Sequence, residues 1–153
     1  MKRPRRDAFT ADLFRDYQPA PVVERFEPEA VQAWSMSGRL SKAVKLTMDE
    51  SGMSRNEIAA EMTEMTKASV SKAMLDGYAS QAREQHSISA VRLAALVAIT
   101  GDARALNVLL ADAGLVAVPQ KYEALLRREM AREARERAAR DEQAFDAEWR
   151  AKR

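Results

Sequence analysis

The residues best suited to a chemical task lie between Thr66 and Leu75, in the stretch T-K-A-S-V-S-K-A-M-L. No carboxylate interrupts it, whereas Glu57, Glu61 and Glu64 crowd the segment before it. Lysines reach guanine O6 and N7 or a phosphate, serines bond base edges or phosphates, and an alanine methyl packs on a thymine methyl. Displayed at the start of a helix, Lys67, Ala68, Ser71 and Lys72 suit the major groove of double-stranded DNA. Exposed amides at the same helix end would add donors for a phosphate. The stretch Ala79–Ser87 follows, and its Arg83, Gln85, His86 and Ser87 suit contacts along a phosphate backbone, which position without specifying; the other reading is a solvated loop, with His86 bonding a local backbone group near the next helix.

Such a display needs two helices in a fixed crossing. A helix-turn-helix requires a small residue where the second helix passes over the first, and Ala59 and Ala60 offer one. Met65 supplies the apolar turn residue, and Thr66 the cap that opens the second helix. Val70 supplies the buried branched residue near its fourth position, with Met74 inward at i,i+4. Set against this, a pair of helices in residues 54–76 is also what an ordinary helical hairpin would show, and such patterns recur by chance.

Other chemistries lack their residues. The chain of 153 residues has no cysteine, which excludes disulfides, thiolate metal sites and a cysteine nucleophile. The lone His86 cannot build a metal site. There is no P-loop and no G-x-S-x-G, and carboxylate pairs such as Asp49/Glu50 lie in polar helix-end sequence. The expectation is a non-enzyme with no cofactor. No apolar run approaches 18 residues, and the basic start MKRPRR lacks a following apolar stretch, so neither a membrane span nor a secretory signal is expected.

The elements that must hold the strip are helical. With 46% hydrophobic residues, five glycines and five prolines, the composition suits an all-α chain. Gly52, Gly77, Gly101 and Gly114 each follow a helical periodicity and read as C-terminal stops. Ser54 and Glu57 form a capping box with a Met53/Ile58 staple, Ser89 lies between Ile88 and Leu93, and Asp102 opens the run after Gly101. Five helices are predicted at roughly 38–51, 55–64, 67–76, 90–100 and 103–113. Their stripes pool into one core: Leu40, Val44 and Met48; Ile58, Ala59 and Met62; Val70 and Met74; Leu93, Leu96 and Val97; Leu106, Leu109 and Leu110.

The flanks differ. Residues 1–36 read as an N-terminal arm: four of the five prolines fall there, and Phe9, Leu13, Phe14, Tyr17, Val22, Val23 and Phe26 are too apolar for a plain linker. Pro28 could open a short helix reaching Trp34. The basic start could be a loose tail or reach a minor groove. Residues 119–153 read as a long charged C-terminal helix, with ten Lys+Arg and eight Asp+Glu after Pro119 and pairs such as Glu133–Arg137 and Glu136–Arg140 at i,i+4. Between Gly114 and Pro119, Leu-Val-Ala-Val is a strand or an extended connector.

The central part, residues 37–118, resembles the lambda-repressor-like helix-turn-helix regulators of temperate phages, and most of all those in the early regions of Mu-type transposable phages and prophages. The pieces that carry the resemblance are W-S-M-S-G-R-L-S-K-A-V (34–44), the 66–75 stretch running into L-D-G-Y-A-S, A-R-E-Q-H-S-I-S (82–89) and A-L-V-A-I-T-G-D (95–102). The last two are also similar to phage regulators of the CII type. The resemblance implies sequence-specific DNA binding, transcriptional control of a phage or prophage operon in the cytoplasm of a bacterial host, and DNA contacts at Lys67, Ala68, Ser71 and Lys72; Thr66 and Arg83 join them as candidate DNA-binding residues of the five-helix domain. The chain departs from the family pattern in two ways: Ala59 to Val70 is one residue longer than usual, and Thr63 stands at the turn glycine.

Residues 38–119 carry nine basic and nine acidic side chains, so one recognition helix should bind weakly. A homo-oligomer formed through the arm or the C-terminal helix, where Ala124, Ala131, Ala138 and Phe145 recur every seven residues while Arg127 and Asp141 interrupt the companion d positions, would multiply affinity across paired half-sites. Two other readings fit the same residues: an accessory factor for phage transposition, and a helical adaptor that binds protein through its charged C-terminal helix.

Overall fold

A computed structural model describes residues 21–81 and 86–153, and those residues are all-helical, with no strand. The helices are α1 (Pro28–Val31), α2 (Met36–Glu50), α3 (Arg55–Thr66), α4 (Lys72–Tyr78), α5 (Ala90–Thr100), α6 (Arg104–Leu110) and α7 (Glu123–Ala151). Single 3-10 turns at Ala111–Ala113 and Gln120–Tyr122 follow α6 and precede α7. Helix α2 packs on α6, α3 on α5 and α4, and α1 on α2.

Local chemistry sets most of these boundaries. The side chain of Ser35 accepts from Gly38 N to open α2. Ser54 accepts from Glu57 N, while the Glu57 carboxylate accepts from Ser54 N at 2.7 Å, so both halves of the capping box are made. The Ser54 side chain and backbone hold the Glu57 carboxyl below its ordinary range. Ser89 caps α5 by accepting from Arg92 N. Gly52, Gly101 and Gly114 adopt left-handed backbone as expected of helix stops. After Gly114, Leu115 N donates back to Leu110 O at 3.1 Å, closing a Schellman-type end. Gly77 is different: it lies inside α4 and is buried, and the helix runs on to Tyr78.

The core forms where the apolar stripes meet. Val44, Met48, Ile58, Met62, Leu75 and Leu96 are fully buried, with Leu40, Val70 and Leu93 beside them. Helix α6 contributes Ala105 and Asn107 as its buried pair, while the expected Leu106, Leu109 and Leu110 are half-buried. The reason lies with what covers α6. The Asn107 carboxamide donates to Glu24 O at 3.0 Å, and its oxygen accepts from Ala117 N at 2.7 Å. One side chain thus ties down both the segment before α1 and the connector after α6. That segment docks through Phe26, and α1 through Val31, both in the core. Helix α1 ends three residues before Trp34, which is fully exposed. The run 115–118 is extended connector.

Arg104 is the second clamp on the same face. It forms a bidentate pair with Asp102, reaches Glu50 of α2 at 2.5 Å, and stacks 4.1 Å from the Phe26 ring centroid. Arg39 of α2 grips Asp112 beyond α6 through two bonds, 3.2 and 2.5 Å. Burial alone pushes the Asp102 carboxyl up, but hydrogen bonds from the Arg104 side chain and backbone, with its charge, hold it below the usual carboxylate range.

Two outcomes follow. Asn107→Ala leaves Glu24 O and Ala117 N without their buried partner, and should lower unfolding free energy by about 2–4 kcal/mol in urea titrations. Because the Asp102 pKa is lower folded than unfolded, the Asp102–Arg104 pair stabilises the fold above the unfolded value of about 3.9, and that contribution drains away as pH falls through the folded value. Asp102→Asn should therefore lower the urea midpoint near neutrality and flatten its decline below about pH 4.

Candidate nucleic-acid interface

The link from α3 to α4 is five residues, Lys67 to Ser71. Helix α3 runs through Thr66, so Thr66 does not open the second helix as its sequence position suggests. Its hydroxyl turns back to Met62 O at 2.7 Å, with Ala68 O at 3.2 Å, and the side chain is half-buried. A threonine can bond the carbonyl four residues back as readily as it can cap a helix, and here the back-bond wins. Ser71 does the capping instead: it accepts from Met74 N, and α4 starts at Lys72.

What makes the link rigid is Thr63. Its hydroxyl accepts from Val70 N at 2.9 Å and donates to Ala59 O at 2.8 Å, with Val70 O at 3.2 Å. Val70 is thereby pinned in the core from the link, one residue before the α4 cap and not within α4. The left-handed residue that reverses the chain is Lys67, at φ 51° and ψ 25°. It is the only non-glycine with positive φ among the described residues. Thr63, which stands where a turn glycine would be expected, is ordinary helix with a bonding task.

This arrangement brings Lys67, Ala68, Ser69, Ser71, Lys72 and Ala73 to the surface as one exposed strip, with Asp76 one turn further along α4. Lys67 pairs with Glu64, but both side chains are largely exposed, so that pair is weak and exchangeable. Ser71 spends an oxygen lone pair on its cap and keeps a hydroxyl proton to donate. Met65 is exposed beside the strip.

Arg92 of α5 joins the strip from the side, although its sequence position gives no hint of it. Its guanidinium donates to Tyr78 Oη and lies 3.5 Å from Ser69 O, bracing the link from outside. Tyr78, Met74, Gly77, His86 and Arg92 line a shallow recess next to the exposed face of α4. His86 and Ser87 are exposed, and Ser87 bonds Ser37 at the start of α2 across 2.6 Å. Arg83 lies outside the described residues, as do Gln85, the basic start and the arm residues before 21.

Among the described residues no group of three or more His, Asp or Glu side chains is gathered as a metal site would need, and no helix is long and apolar enough to cross a membrane. No protein-family model matches the chain, and no curated protein or solved structure is significantly similar to it.

Left-handed backbone at a lysine costs about 1–2 kcal/mol, a strain that glycine avoids. Lys67→Gly should raise the thermal midpoint by a few degrees. Thr63→Val should lower unfolding free energy by about 1–3 kcal/mol, because it strips Val70 N of its partner. Differential scanning calorimetry of the two variants checks both signs.

Proposed function

We propose that residues 37–118 form a lambda-repressor-like helix-turn-helix domain that binds double-stranded DNA sequence-specifically, and that the chain regulates transcription of a phage or prophage operon. The observation that carries this reading is the exposed, acid-free strip Lys67–Ala73 on a link held by Thr63, Thr66 and Arg92. It pairs two ammonium groups with serine hydroxyls and two alanine methyls, the set that a major groove rewards. Asp76 adds an acceptor for a cytosine amine further along α4.

Within this reading the contact set is Lys67, Ala68, Ser69, Ser71, Lys72 and Ala73, presented by the link and the first turn of α4. Thr66 positions the link from behind. Because α3 runs through Thr66 and α4 starts only at Lys72, the contacts fall earlier relative to α4 than a helix beginning at residue 67 would place them. The resemblance to phage regulators supports control of transcription over an architectural role. A protein-binding adaptor remains the second reading, favoured by the exposed Phe145 and Trp149 on α7.

Fluorescence anisotropy with labelled duplexes tiled upstream of the gene, at several salt concentrations, tests this. One tile should bind far above scrambled DNA. Lys67→Ala and Lys72→Ala should each weaken that tile by roughly 1–3 kcal/mol if they read bases, or lower the salt slope by about one if they hold phosphates. Equal binding to every tile would favour a transposition accessory role, and no binding at low salt would overturn the DNA reading.

A further inference from the structure

Helix α7 is 29 residues long, about 43 Å, and every residue of it is exposed. Its charges are sorted along its length. Residues 127–140 hold six arginines against three glutamates, whereas 141–149 hold four acids and no base. Several acids and bases pair within the helix at one turn's spacing: Glu123 with Arg127, Arg132 with Glu136, Asp146 with Arg150 and Glu148 with Lys152. Arg135, Arg137, Arg140, Asp141 and Glu142, around the point where the sign changes, form no ion pair within the described residues.

Along one face the apolar side chains are sorted too, with the exposed Leu125, Leu126 and Met130 on the other sides of the helix. Ala124, Ala131 and Ala138 share one face of α7 with Ala134 beside them, and Phe145 and Trp149 continue that face toward the C-terminus. Phe145 is 69% exposed and Trp149 59% exposed, with Arg153 stacked on the Trp149 ring. One half of the face is therefore small and basic-flanked, the other bulky and acidic-flanked. Each half complements the other and not itself.

From this we infer that α7 pairs with α7 of a second copy of the chain, antiparallel, crossing near Ala138. In that register Phe145 lies over Ala131 of the second copy, Arg135 opposite Asp141, and Arg128 opposite Glu148, with each contact repeated by the two-fold axis. A parallel pair would set arginine against arginine and carboxylate against carboxylate, and would place the bulky residues of both copies at one level. Small residues at the crossing let the two helices approach closely. The inference stands on α7 and does not require the DNA reading.

Sedimentation of the full chain tests it. The wild type should sediment as a dimer at micromolar concentration. Arg128→Glu/Arg135→Glu and Asp141→Lys/Glu148→Lys should each sediment as a monomer, and an equimolar mixture of the two should recover the dimer. Far-ultraviolet circular dichroism of each variant checks that its helices remain. Because the chain has no cysteine, orientation can be read by cross-linking. Chains carrying Ala124→Cys should not link to one another on oxidation but should link to chains carrying Lys152→Cys. A wild-type monomer, charge variants that still dimerise, or Ala124→Cys chains that link to themselves would each overturn the inference.

Discussion

The relation between α3 and α4 rests on the Thr63 hydroxyl. Without it, the backbone of Val70 would have no bond to α3, and the link would rest on Val70's burial and on the contacts of Thr66 with Ala68 O and of Arg92 with Ser69 O. With it, the backbone of Val70 is bonded to α3 at a point two turns of helix from the capping box. The backbone behind the exposed strip is thus bonded before any partner arrives, which reduces the ordering cost that a loose loop would bring to binding. Thr66 and Arg92 reinforce the same link from either side. The hydroxyl and guanidinium groups there face backbone, so they specify shape, while the lysines face solvent and specify charge.

The helices and their caps were largely legible in the sequence because each depends on near neighbours. The capping box at Ser54, the cap at Ser89 and the stops at Gly52, Gly101 and Gly114 are decided within four or five residues. The stripes of α2 and α3 were legible for the same reason. Thr66 was misread because its two options, capping forward or bonding backward, use the same atoms. The choice depends on where Val70 can reach the core, which is a tertiary matter. Gly77 was misread as a stop because α4 has Tyr78 to bury, and burial overrides a glycine's weak helix preference.

Two further features lay beyond reading by neighbours. Arg92 reaches the link from 23 residues away, and Asn107 bonds Glu24 across 83 positions. Nothing in periodicity announces a polar residue on a buried face; α6 looks in sequence as though its leucines should turn inward. They are only half-buried because the segment carrying Phe26 and the connector at Ala117 cover that side, and those require a carboxamide between them. The N-terminal segment and the connector therefore behave as part of one domain from residue 24 onward, with Phe26 held between core and Arg104.

The Asn107 bridge has a mechanical consequence. Among the described residues, Glu24 ahead of the helical core and Ala117 beyond it both hang from the same side chain. A pull applied between the N-terminal segment and α7 is borne first at that junction, across two hydrogen bonds, and not along the axes of α2 to α5. Tension between whatever the two ends hold would peel the junction open while the α3–α4 strip keeps its shape.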